Sequence, residues 1–90
     1  MNLIKTHQFD FEGNRYEVRI SSDGENTEIQ TFLNDSPANG YLYSVRFATR
    51  LGMIHNLGVD AIEELVQQAE LDVKSKMWER YTNAVATKNQ

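Results

Sequence analysis

The chain changes its hydrophobic period once, near Gly58. Before that residue, apolar and polar side chains alternate, which is typical of half-buried β-strands. After it, apolar residues recur every three or four positions, and neither glycine nor proline occurs between residues 60 and 87, as in an amphipathic helix. The pattern predicts a single domain over residues 1–90, with a strand-rich part at about 7–57 and one helix at about 60–87.

Four strands are predicted in the first part. The Gly13-Asn14 dipeptide suits a two-residue hairpin turn, because both residues tolerate positive φ, and it would pair Phe11 with Tyr16. That register also places Asp10 opposite Glu17, which is a like-charge mismatch. The third and fourth strands are predicted to turn these side chains inward: Ile29, Thr31 and Leu33, then Tyr41, Tyr43, Val45 and Phe47.

The segment 48–57 is compatible with a strand extension, a short helical turn or a loop. Gly52 and Gly58 argue against a long regular element there. Asp60, followed three residues later by Glu63, then resembles a capping box that opens a helix. The predicted fold is therefore α+β: a four-stranded, mainly antiparallel β-sheet followed by one long C-terminal α-helix packed on one face (ββββα).

The length of this predicted helix indicates a contact with another molecule. A helix over residues 60–87 would reach about 40 Å, whereas each strand spans only about 20 Å. The overhanging half would expose a row of apolar side chains, and we expect a protein interface formed by Leu71, Met77, Trp78, Tyr81 and Val85. Alternatively, the helix breaks near residues 72–75 or frays after Tyr81, and a bend folds Met77 and Trp78 back onto the domain.

Composition fits this interpretation. A 90-residue chain buries a small core and is often only marginally stable alone, so self-association would help. The chain has no cysteine, and we expect no cofactor, no metal ligands, no membrane partner and a cytoplasmic location. The sequence thus predicts a small soluble, non-enzymatic interaction module that forms a homodimer, or docks on a larger protein, through its long C-terminal helix.

An alternative function is single-stranded nucleic-acid binding by the open face of the sheet. Arg15, Arg19, Phe32 and Arg46 would lie on that face, where arginines bind phosphates and aromatic rings stack on bases. The acidic residues of the same face and the net charge of −4 disfavour this function.

A third possibility is an enzyme with a pocket near His55. An imidazole has a pKa near neutrality and suits general-base catalysis. The sequence shows neither a nucleophile nor an orienting carboxylate beside His55, so no catalytic residue is predicted.

Overall fold

The fold is a four-stranded antiparallel sheet followed by three helices. The structure, a computed structural model, describes residues 1–88, with side chains described as far as residue 84. The strands β1 (Asn2–Phe11), β2 (Asn14–Ser22), β3 (Asn26–Leu33) and β4 (Ser36–Arg46) pair in the order β1-β2-β3-β4. The helices are α1 (Phe47–Leu57), α2 (Ala61–Lys74) and α3 (Met77–Lys88). The predicted α+β class and antiparallel sheet are confirmed, but the prediction of one long C-terminal helix is wrong.

The core lies between one face of the sheet and α2. The alternating pattern turned the expected residues inward, since Val18 and Ile29 are fully buried at the centre of the sheet. The three-and-four spacing of α2 places Ile62 and Ala69 against them. Burial of apolar side chains is the main favourable term in folding, so this layer holds the domain together. The core cluster consists of Phe9, Val18, Ile20, Ile29, Val45, Ala61, Ile62 and Ala69.

The hairpin between β1 and β2 has a different register from the predicted one. Its two-residue turn is Glu12-Gly13, with φ of +50° and +81°, and Phe9 rather than Phe11 lies opposite Tyr16. Because the shift is two residues, the same side chains still face the core. The shift also removes the like-charge mismatch, because Asp10 now lies opposite Arg15 and bonds its Nε at 3.1 Å.

Residues 47–57 form a regular helix, which the sequence analysis did not predict. Phe47 was expected to continue the inward face of the fourth strand, but it begins α1 and is exposed. Gly52 lies inside the helix, where a glycine costs only about 1 kcal/mol relative to alanine. Gly58 ends the helix in the left-handed conformation, at φ +65°, and its N–H donates to the Ile54 carbonyl oxygen at 3.0 Å.

The C-terminal helical segment breaks between α2 and α3. Lys76 adopts a left-handed φ of +57°, and the Ser75 hydroxyl donates to the Leu71 carbonyl oxygen at 2.7 Å. A left-handed residue other than glycine costs about 1–2 kcal/mol. Packing of the residues after the break offsets this cost, because the bend brings Trp78 onto β4 of the same chain. The structure therefore matches the alternative prediction, in which the helix breaks near residues 72–75.

Candidate docking surfaces

Trp78, the central residue of the predicted interface, packs within its own chain. Its ring lies over Gly40 and meets Tyr41 edge-on, with ring centroids 5.3 Å apart. A Cβ atom at Gly40 would lie 2.6 Å from Cζ2 and 2.7 Å from Cζ3 of Trp78, which is closer than real Cβ contacts. The expectation that Trp78 projects beyond the sheet is therefore wrong, because the break at Lys76 turns α3 back towards β4.

The other residues of the predicted interface differ in their surroundings. Leu71, Met77 and Tyr81 expose roughly half of their surface, so they remain available for a contact. The side chain of Val85 lies outside the described residues. Since the helix is not continuous, these residues do not form the single overhanging row on which the prediction depended, and their role stays a prediction.

The open face of the sheet carries the residues predicted to bind nucleic acid, but two of its arginines, Arg15 and Arg19, form ion pairs with acidic side chains. The Arg19 guanidinium bonds Glu17, bonds Asp35 at 2.6 Å and lies 4.1 Å over the centre of the Phe32 ring. Arg15 bonds Asp10. These hydrogen bonds raise the pKa of both guanidinium groups. A phosphate would have to displace the carboxylates, and a base would have to displace Arg19 from Phe32.

Arg46 lies apart from these pairs. It occupies the end of β4 opposite Asn26, and no ion pair of Arg46 occurs within the described part of the chain. A single unpaired arginine at one corner does not form the cationic track that single strands require. Nucleic-acid binding by this face stays a prediction without a specific observation in its favour.

His55 is exposed in the last turn of α1. The enzyme hypothesis that involves it stays untested. Within residues 1–88, no group of three or more histidine or carboxylate side chains is placed to hold a metal ion.

Helix α1 presents the most unusual surface of the fold. None of its eleven residues is buried, although it carries five large apolar side chains. Met53 is partly buried and packs against the core, whereas the other four are exposed. At about 100° per residue, these side chains share an arc of about 120°, so they form one stripe along the helix. They expose 39 to 68% of their surface. We call this set the α1 stripe; it comprises Phe47, Leu51, Ile54 and Leu57.

A charged clamp fixes α1 against the start of α2. Both Arg50 Nε and Nη2 donate to the Asp60 carboxylate at 2.9 Å, and the same carboxylate caps α2 by accepting from the Ile62 N–H at 3.1 Å. Planar two-point contact of this kind favours a single orientation. The clamp therefore holds α1 in place together with Met53, the apolar side chain of this helix that packs against the core.

The clamp makes stability depend on pH. The hydrogen bonds from Arg50 and from the Ile62 N–H lower the pKa of Asp60. Its stabilising contribution is therefore present above the unfolded pKa of about 3.9 and is lost as pH falls through the depressed folded pKa. We expect Asp60→Asn, which keeps the cap, to cost about 0.5–1 kcal/mol at pH 7, since the pair is partly exposed. Urea unfolding should show that this difference shrinks at pH about 2.5.

The matched control for this measurement is Asp10→Asn, which removes the exposed partner of Arg15. We expect it to change the free energy of unfolding by less than Asp60→Asn at pH 7. An Asp60→Asn penalty that stayed constant down to pH about 2.5 would contradict the charged clamp.

A groove lies beside α2 on the same face of the sheet. Strands lie about 4.8 Å apart and a helix is about 10 Å wide, so one helix cannot cover four strands. Because α2 packs mainly on β3 and β4, the part of the face next to β1 is left as a groove of about 580 Å³. Its apolar lining is Ile4, Ile20, Ile62 and Val66, and its polar rim is Lys5, His7, Arg50, Asp60, Glu63, Gln67 and Glu70.

Neither the stripe nor the groove was predicted from the sequence. The spacing of Phe47, Leu51 and Ile54 is helical. However, Phe47 also fits the period-two pattern of β4, and Gly52 and Gly58 argue against a helix in the residues that follow. The groove has no local signal, because it depends on where α2 crosses the sheet.

Comparison of the chain with protein-family models, with curated proteins and with solved structures finds no match. Among the helices that the structure describes, none combines the length and the apolar character needed to cross a membrane.

Proposed function

We propose that this chain is a small, non-enzymatic protein-interaction module and that α1 is its docking element. The observation that carries the proposal is the exposure of the whole α1 stripe on a helix that buries none of its residues. If a large apolar side chain presents about 200 Å² when fully exposed, the stripe exposes roughly 400 Å², which is the size of patch that often marks an interaction site.

The spacing of the stripe also supports docking. Phe47, Leu51 and Ile54 occupy positions i, i+4 and i+7, the anchor pattern of a helix that lies in the groove of another protein. The clamp between Arg50 and Asp60 holds this helix before binding, so little conformational entropy is lost when a partner engages. A preformed amphipathic helix on a stable sheet is well suited to recognition.

Site-specific photo-crosslinking in the native cell tests the proposal. We expect a benzophenone amino acid at Leu51 to give discrete protein adducts. The same group at Gln8, an exposed residue of β1 on the open face, should give none. A third position, Met77, represents the C-terminal surface predicted from sequence. Adducts at Met77 without adducts at Leu51 would contradict α1 as the docking element.

A further inference from the structure

We infer that the occupant of the α1 stripe is the groove between β1 and α2 of a second copy of this chain, and that the two copies exchange this contact reciprocally. The inference rests on the docking role proposed for α1. It joins two surfaces of this fold that were not predicted from the sequence: a helix with an uncovered apolar stripe, and a groove in which Ile4 is largely exposed and Val66 is partly exposed.

The dimensions of the two surfaces agree. An eleven-residue helix such as α1 is about 16 Å long. The groove follows α2 from Asp60 to Glu70, a distance of about 15 Å at the same rise per residue. The apolar side chains that it offers to a partner are Ile4 and, in part, Val66, because Ile20 and Ile62 are almost completely buried.

The charges of the two surfaces are compatible. On the rim of the groove, Asp60 pairs with Arg50 and Glu70 pairs with Lys74, so Glu63 is the rim carboxylate that has no ion pair among the described residues. The segment 36–59, which includes α1, contains no aspartate or glutamate. Arg46, just before α1, has no ion pair within the described part of the chain. Seating α1 in the groove would thus add no carboxylate to the rim, and it would bring the unpaired Arg46 to the groove that holds Glu63.

The positions of the two surfaces permit a symmetric dimer. Arg50 belongs to α1 and also lines the groove, so the stripe and the groove are neighbours in each subunit. A two-fold axis beside this residue would place α1 of each copy in the groove of the other copy. The interface is then closed and isologous. No further copies are then required to cover either surface.

The expected buried area favours this arrangement over contact between two stripes. Two stripes packed face to face would bury roughly 800 Å², whereas stable interfaces bury about 1,200–2,000 Å². Reciprocal seating also covers the lining of both grooves and brings the buried area to roughly 1,100 Å², close to the lower end of that range. A dimer of this type also covers Ile4, which is largely exposed in the single chain.

Disulfide trapping tests the contact, because the chain has no cysteine of its own. Single cysteines are introduced on the stripe at position 47, 51 or 54 and, in separate proteins, on exposed residues of the groove at position 4, 63 or 67. Each stripe protein is mixed with each groove protein under mild oxidation. The control pair is Leu51→Cys with Leu42→Cys, because Leu42 lies on the open face and its exposed fraction is close to that of Ile4. We expect at least one stripe–groove pair to form a mixed disulfide at least tenfold faster than this control pair.

Sedimentation measurements accompany the trapping. We expect the wild-type chain to be a dimer at tens of micromolar and Leu51→Glu to raise the dissociation constant at least tenfold, while the exposed control Gln8→Glu leaves it unchanged. Disulfides that form only between two stripe positions would overturn the inference in favour of stripe-to-stripe contact. A wild-type monomer at 100 μM, or trapping no faster than the control pair, would also overturn it.

The two proposals fail in different ways. An adduct in the cell between Leu51 and a different protein, with no stripe–groove disulfide in the purified chain, retains α1 as a docking element and removes the second copy as its occupant. The absence of any adduct at the stripe removes both.

Discussion

Gly40→Ala is expected to destabilise the domain by about 2–3 kcal/mol, because a methyl group at this position overlaps the Trp78 ring and overpacked sites typically cost 1–3 kcal/mol. Relief of the overlap requires the ring to leave β4, which also exposes Tyr41. The chain contains a single tryptophan, so its fluorescence reports the displacement directly. We expect a red-shifted emission in the folded variant and an earlier midpoint in urea unfolding.

Gly52→Ala provides the matched control. A Cβ atom at Gly52 meets nothing within 4 Å, and the residue lies inside α1 with helical geometry. The same chemical change should therefore leave the emission unchanged and stabilise the helix by up to about 1 kcal/mol. Equal effects of the two substitutions would contradict the contact between Gly40 and Trp78, and with it the position assigned to α3.

Asp72→Ala is expected to cost about 1–3 kcal/mol, because it leaves the half-buried Tyr43 hydroxyl without its acceptor. Asp72 is only 5% exposed and lies on the side of α2 that faces the sheet. Its carboxylate accepts from the Tyr43 hydroxyl and, at 2.9 Å, from Gln68 Nε2. Burial and the hydrogen bond to this carboxylate raise the pKa of Tyr43, so the hydroxyl keeps its proton and remains a donor.

Equilibrium unfolding in urea measures this loss, and two further variants determine its origin. Asp72→Asn retains an acceptor for Tyr43 and should cost less than Asp72→Ala. Asp10→Ala, which removes an exposed carboxylate from β1, should cost much less than Asp72→Ala. In a double-mutant cycle with Tyr43→Phe, we expect a coupling energy of about 1–2 kcal/mol. Additive effects would mean that the hydroxyl and the carboxylate do not interact.

The strands and the start of α2 could be predicted because their signals are local. Alternation identified which side chains face the core, and even a two-residue error in the hairpin register left Phe9 and Val18 inside. Asp60 was identified as a helix start from its spacing to Glu63, and the carboxylate does accept from the Ile62 N–H. Patterns that repeat over a few residues are therefore sufficient for these elements.

The break before α3 could not be predicted from local signals. Neither glycine nor proline marks it, and Lys76 is an ordinary helix former forced into a left-handed conformation. The determinant is the packing of Trp78 against Gly40, a contact between residues far apart in sequence. Helix propensity is a weak preference, and tertiary packing overrode it here.

The docking surfaces were missed for a related reason. Each depends on how helices lie on the sheet: α1 turns its apolar side outward because the Arg50–Asp60 clamp fixes it, and the groove exists because α2 crosses towards β4. The residues predicted for the interface were chosen on the assumption of one continuous C-terminal helix. The break at Lys76 turns Trp78 back onto β4, whereas Leu71, Met77 and Tyr81 stay about half exposed.

The irregularity near the start of β1 has a consequence for the solution behaviour of the protein. Leu3 pairs with Ser21 and Lys5 with Ile20, so Ile4 is an extra residue that bulges from the strand. A bulge and a lysine interrupt the regular row of amide donors and acceptors that an outer strand offers to other chains. The sheet therefore resists open-ended, fibril-like extension along this border.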